Sequence, residues 1–276
     1  MPGAPLLASY LTLIGNAVPG PDFKSPWPLS ERLEACSDAG FVGIGIGLED
    51  LYGTDLGKLR RMLDEYGVKR VQLELLQDWW AGDTTDTELL FAAASELGAF
   101  QIKACADTSA TPVPVDSMRA GWEAMADRAA YAGAQLVLEP LPFSNLRTIE
   151  AGAAFVQSVG HPNGGLLIDI WSMNRGGSTL ASLEVLVDPR FLFAVELCDG
   201  RDPAPTGVSA PFDAWNNRLL PGEGDWNVTG FIAAMRQLGF AGPWGIEMTS
   251  TDWRKLSLAE AVGRAAISTQ GALLRH

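Results

Sequence analysis

The sequence predicts an α/β protein folded as a single (β/α)8 barrel, and three observations carry that prediction. Short β-rich runs alternate with amphipathic helical segments along the whole chain, eight such runs recur about 30 residues apart, and most of the helical segments end in glycine. The strand candidates are LLASYLTL from Leu6, FVGIGI from Phe41, VQLELL from Val71, FQIKAC from Phe100, QLVLEP from Gln135, LLIDI from Leu166, FLFAVELC from Phe191 and WGIEM from Trp244. The helical segments between them begin with LSERLEACSDAG, TDLGKLRRMLDEYG, DTELLFAAASELG, SMRAGWEAMADRAAYAG and TIEAGAAFVQSVG, and later ones start near Ser178, Asn227 and Ser257. Four of the first five open near a Ser, Thr or Asp suited to capping free amides, and all five close on a glycine able to take a left-handed turn.

Strand followed by helix throughout implies a parallel sheet, because parallel neighbours need a crossover connection. An open doubly wound sheet would show a glycine-rich phosphate loop after its first strand. GNAVPGPDF, from Gly15, lacks the GxGxxG spacing. No composition shift or long linker divides the 276 residues, so one domain spanning residues 1–276 is expected. Two loops that follow strands are longer than the rest, Asp107 to Val115 and Asp199 to Trp226, and this places them as a lid or substrate wall on the catalytic face.

With 47% apolar and 19% charged residues, the chain has the balance of a folded globular protein rather than a disordered one. A net charge of −13 and the lack of any Lys/Arg cluster exclude nucleic acid as a partner. Nothing near the N-terminus reads as a signal peptide and no apolar run is long enough to span a bilayer, so a cytoplasmic protein without membrane contact is expected. Cys36, Cys105 and Cys198 each sit in an apolar segment and read as buried thiols. Only two histidines are present, and His161, in GHPNGG before the sixth strand, reads as a turn residue. Homo-oligomerisation is left open.

In this fold the carboxyl-terminal ends of the strands converge on one mouth, where active sites are built. Glu139, Asp169, Glu196 and Glu247 stand at the ends of strands five, six, seven and eight. Four carboxylates aimed at one point need positive charge to offset their repulsion and desolvation. An oxygen-only donor set suits one hard divalent ion, Mn²⁺ or Mg²⁺, and ion pairs to Lys or Arg at the mouth are the alternative. Glu74 and Lys103, on strands three and four, are further candidates as a general base and an electrostatic clamp, or as a structural ion pair. Trp79, Trp80 and Trp171 follow strands and could wall a small ligand or pack in the core.

The run RLLPGEGDWNVTGFIAAMRQLGFAGPWGIEM from Arg218, with EP at Glu139, IDIW at Asp169, VELCD at Glu196 and the opening SPWPLSERLEACSDAGFVGIGI, resembles the sugar phosphate isomerase/epimerase superfamily of xylose-isomerase-like TIM barrels. The resemblance covers essentially the whole chain. It implies a single divalent metal held at Glu139, Asp169, Glu196 and Glu247, and an Arg218 that contacts an oxygen-rich substrate. In the alternative, Arg218 pairs with Asp225 or Asp199 to hold the long loop. Two positions depart from the pattern. Glu196 stands where relatives commonly carry His or Gln, and Ser172 where many carry His beside metal or substrate. A serine supplies neither an imidazole's proton transfer nor its metal-binding nitrogen.

The expected activity is metal-assisted proton transfer beside a carbonyl of a small polyol or keto-sugar substrate, an isomerase or epimerase with Glu139 and Glu247 exchanging the proton. Glu74, Lys103, Trp171, Ser172 and Arg218 are the expected substrate contacts. A lyase or dehydratase acting on a keto sugar or keto-cyclitol is the second expectation, and a non-catalytic barrel with a degraded site the third. An endonuclease of the superfamily's zinc-cluster type is excluded by the two histidines and the acidic charge.

Overall fold

A parallel strand buries both faces only when a sheet closes on itself or is covered by helices, and here both happen. The computed structural model describes residues 3–20 and 23–275 and contains one closed barrel of eight strands in sequence order. They are β1 (Leu6–Ala8), β2 (Gly43–Gly47), β3 (Arg70–Leu76), β4 (Gln101–Cys105), β5 (Gln135–Glu139), β6 (Gly164–Asp169), β7 (Leu192–Leu197) and β8 (Trp244–Ile246). Every pairing is parallel, and β1 returns to β8 through Leu7 opposite Gly245.

All eight strands fall on the runs expected from the sequence, some of them shortened. LLASYLTL is strand only to Ala8. Thr12 Oγ1 then donates to Ile246 O at 2.6 Å and turns Tyr10–Leu13 into a 3-10 helix. The outer helices are α1 (Leu29–Asp38), α2 (Leu56–Glu65), α3 (Thr85–Leu97), α4 (Arg119–Tyr131), α5 (Ile149–Val159), α6 (Leu180–Leu186), α7 (Val228–Gln237) and α8 (Leu258–Leu274). Side chains of Asp55, Thr84, Thr148, Thr179, Asn227 and Ser257 accept from first-turn amides of α2, α3, α5, α6, α7 and α8. The five glycines expected to end helices, Gly40, Gly67, Gly98, Gly133 and Gly160, have φ between 61° and 81°, which a side chain would strain.

The barrel is filled in layers. At the amino-terminal end Gln72, Gln101 and Gln135 join their side-chain amides across β3, β4 and β5, at 3.0 Å and 3.3 Å. Above them Val137, Leu167 and Ala194 form a small apolar cluster. Lys103 lies level with Val137 in the β4–β5 register, and its long side chain climbs past that layer to the acids at the strand ends. All three cysteines are buried free thiols, as read from the sequence. His161 sits in the turn before β6, 3.0 Å from Asp127, at the end of the barrel away from the acids. Among the described residues no helix is long and apolar enough to cross a membrane.

Candidate active site

Strand alternation carries Glu139, Asp169, Glu196 and Glu247 to one mouth, where one oxygen of each lies within 4.8 Å of the others and all four residues are buried. Asp169 pairs in register with Glu196, and Glu196 with Gly245, whose missing side chain leaves room for the Glu196 stem. The sequence-expected acids are therefore brought together, and so are the two basic candidates. Nζ of Lys103 stands 3.0 Å from Glu139 Oε2, 2.8 Å from Glu196 Oε2 and 2.6 Å from Glu247 Oε2. Arg218 spans the other side, donating from one nitrogen to Asp169 Oδ2 at 2.8 Å and from another to Glu247 Oε1 at 2.6 Å.

Arg218 is held there by its own surroundings. Its Nε donates to Ala214 O at 3.2 Å and its guanidinium lies over the Trp171 ring, 5.3 Å from the centroid. Neither loop-holding partner expected for Arg218 is its partner: Arg201 takes Asp225, and Asp199 instead gathers backbone amides. The Asp199 carboxylate accepts from Gly200 N, Gly222 N, Gly224 N and Trp226 N at 2.8 to 3.1 Å, so PGEGDW wraps around one buried acid. Gly224 has to be glycine, because an added methyl would overlap Asp199 Oδ1. The same turn pairs Asp199 with Leu219 and so fixes the residue before it, Arg218.

Two cations face five carboxyl groups once Glu74 is included, and burial divides the acids by their partners. Burial would raise Glu247, but the Lys103 ammonium and the Arg218 guanidinium hold it down at about 2. Burial outweighs Lys103 at Glu139 and pushes it up to about 8. Burial likewise pushes Glu74 up to about 7, although Lys103 and the Tyr10 amide, 2.9 Å from Glu74 Oε1, oppose it. Glu196 is also raised by burial, against the pull of Lys103. Glu247 thus has both oxygens engaged and its proton affinity lowered, whereas Glu74 and Glu139 have theirs raised.

A cavity of about 380 Å³ opens over this cluster, lined by Glu74, Lys103, Glu139, Arg218 and Glu247 and walled by Tyr10, Phe23, Phe143 and Trp215. Tyr10, Phe23 and Trp215 meet edge to face, at 5.8 Å and 5.4 Å between centroids. The aromatic wall thus comes from residues the sequence reading passed over. Trp79 is buried in the outer core, donating to Cys105 O at 2.8 Å and packing on Trp122, while Trp80 lies outside this cavity. Trp171, under the Arg218 guanidinium, and Ser172, both expected substrate contacts, are buried, and neither lines the cavity. Both long loops reach the site, one through Thr108 and the other through Ala214, Trp215 and Arg218, and the β1 loop adds Pro19, Gly20 and Phe23.

A larger hollow of about 550 Å³ adjoins on the far side of Arg218. It contains none of the strand-end acids, and its Arg175, Arg201 and Arg264 are already paired with Asp213, Asp225 and Glu223. The strand-end acids Glu139 and Glu247 line only the smaller cavity of the two.

A family model for xylose isomerase-like TIM barrels matches residues 33–267. The chain belongs to that family. Among the relatives it matches, a 3-dehydroshikimate dehydratase of Pseudomonas aeruginosa is 25% identical over 82% of this chain and 37% of its own length. An inosose isomerase of Halalkalibacterium halodurans is 26% identical over 52% of this chain and 50% of its own. The chain therefore spans about half or less of the curated relatives it matches. A solved structure of the IOLI protein with a bound zinc atom superposes with a TM-score of 0.80 at 19% identity, covering 98% of each chain. Among the described residues, Glu139, Asp169, Glu196 and Glu247 form a group with the donor set and spacing of a seat for a divalent ion. In this chain Lys103 holds an oxygen on three of the four acids of that seat.

Proposed function

We propose that the mouth of this barrel moves a proton at a carbon beside a carbonyl in a small polyhydroxylated keto substrate, as an isomerase or epimerase. One observation carries the reading: two carboxyl groups of raised proton affinity, Glu74 on β3 and Glu139 on β5, border one cavity on either side of Lys103. Glu74, the weaker acceptor, removes the proton as a carboxylate; Glu139, still protonated near neutrality, delivers one. Lys103 and Arg218, both on the cavity wall, supply the positive field in which the negative charge of an enediolate is tolerated. Glu247 and Asp169 act by anchoring these cations. Tyr10, Phe23 and Trp215 offer ring faces to the C–H side of a polyol, and about 380 Å³ suits a small molecule rather than a polymer.

Dehydration is the second reading, favoured by the dehydratase relative, whose match covers more of this chain than that of the isomerase. There Glu139 would give its proton to a departing hydroxyl instead of to carbon, so water leaves and a double bond forms. A divalent ion, Mn²⁺ or Mg²⁺, is the alternative source of positive charge: Glu139, Asp169, Glu196 and Glu247 would hold it, and it would act as a Lewis acid on the carbonyl.

Incubating the protein in D₂O with keto-cyclitols, 3-dehydroshikimate and ketohexoses tests the reading. Deuterium entering at the carbon beside the carbonyl, abolished in Glu74→Gln and Glu139→Gln, is expected for isomerisation, and an unsaturated product for dehydration. Neither signal from any substrate of the panel would refute it.

A further inference from the structure

A carboxylate cluster able to seat a divalent ion must leave its oxygens free for metal bonds of about 2.0–2.6 Å. Four carboxylates offer eight oxygens, and in this chain six have partners. Lys103 takes Oε2 of Glu139, Glu196 and Glu247. Arg218 takes Glu247 Oε1 and Asp169 Oδ2, and the Trp171 amide takes Asp169 Oδ1 at 3.0 Å. Glu139 Oε1 and Glu196 Oε1 alone lack a partner among the described residues. Two monodentate oxygens are a poor cage for Mg²⁺ or Mn²⁺, which prefer six ligands.

The occupant is matched to its seat. An ammonium carries three N–H donors and no lone pair, so it satisfies three carboxylate oxygens and cannot itself ligate a metal. Lys103 meets three, at 2.6 to 3.0 Å, with a side chain only 3% exposed. An ion bound by the same three oxygens would have to stand in its place.

We propose that Lys103 is the resident cation of this site: its ammonium fills the position a divalent ion would take among Glu139, Glu196 and Glu247, and the native protein holds no metal there. Glu196 fits this arrangement, since an acid at that position gives the ammonium its third acceptor and Gly245 makes room for its stem. Arg218 completes the substitution by engaging both oxygens that Lys103 leaves on Asp169 and Glu247 beyond the amide of Trp171. The inference concerns the cation alone and stands apart from the identity of the substrate.

The test is ion content and thermal stability of the intact chain. Native protein, purified without chelator, incubated with Mn²⁺ or Zn²⁺ and then desalted, should carry far less than one ion per chain, and EDTA should leave its thermal midpoint unchanged. Lys103→Met, which frees three oxygens, should bind one ion per chain and gain a midpoint that rises with ion concentration and falls back with EDTA. A stoichiometric ion in the native protein whose removal lowers the midpoint overturns the proposal. So does a folded Lys103→Met that binds no ion, since the seat would then not be a metal seat. Should Lys103→Met fail to fold, the ion content and EDTA response of the native protein decide by themselves. Ion-free native protein that turns over no keto substrate would refute the proposed function and leave this inference standing.

Discussion

Replacing Arg218 by Met removes the guanidinium that bridges Asp169 and Glu247 while keeping an unbranched stem under Trp171. Arg218 and both acids are buried, with side-chain exposures of 2%, 0% and 3%, so solvent cannot take over the lost contacts. Breaking a buried pair from one side costs about 3–5 kcal/mol. With an unfolding entropy of about 2.1 cal/mol/K per residue over 276 residues, this corresponds to a thermal midpoint about 5–9 °C lower at pH 7. The deficit should depend on pH. In the native chain Glu247 is held down at about 2, so its ionised form contributes in full above the ordinary carboxylate range, and that contribution is lost only as pH falls towards 2. Without Arg218, burial acts on Asp169 and Glu247 with less opposition and raises their proton affinity in the folded state. A raised carboxyl costs stability as pH climbs through its folded value, so the deficit should be smaller at pH 5 than at pH 7. Adding Glu247→Gln to Arg218→Met should restore part of the loss, because one orphaned charge is gone. Thermal melts of the single and double variants at both pH values provide the measurement. A midpoint unchanged at pH 7, or an equal deficit at pH 5, would show that Arg218 does not neutralise these acids.

Other perturbations test separate parts of the site. If Glu74 works as a base near 7 and Glu139 as an acid near 8, the pH profile of turnover should be a narrow bell between those limbs, with the apparent values belonging to the coupled cluster; a flat profile from pH 6 to 9 contradicts the assignment. Gly45→Ala would push a methyl onto Glu74 Oε1 and the Tyr10 amide, breaking their hydrogen bond, so activity should fall well before the barrel unfolds at moderate temperature. Asp199→Ala leaves four loop amides without their acceptor and should cost about 3 kcal/mol, with residues 200–226 becoming the first site of limited proteolysis. Trp215→Ala removes a half-buried wall and should raise KM with little change in thermal midpoint.

The barrel was legible because its signals are local. A glycine after a helix needs only its own φ, and each cap needs only the next turn, so the eight repeats and their ends could be read directly. The acids were legible for a related reason: a charge at the end of an apolar strand has one sensible direction, towards the mouth. The aromatic wall was not, since Tyr10 belongs to a segment that reads as strand, Phe23 to a loop without pattern, and Trp215 to a short helix inside a long insertion. Nothing in their neighbours along the chain reports that they meet.

Lys103 shows where local reading ends. Its place on β4 declares that it faces the barrel axis, because Gln101 and Cys105 flank it at the same period. Direction alone leaves three fates open: a free amine for chemistry, one ion pair, or the hub of several. Which one is realised depends on height along the axis, and height depends on how the strands are staggered. β4 sets Lys103 level with Val137, a layer below Glu139, so a side chain of lysine's length ends among the strand-end oxygens and a shorter one would stop beneath them. Where the Lys103 ammonium comes to rest is therefore a property of register, which no single strand encodes. The departure at Glu196 is part of the same register: its carboxylate stands 2.8 Å from the Lys103 ammonium and gives it a third acceptor.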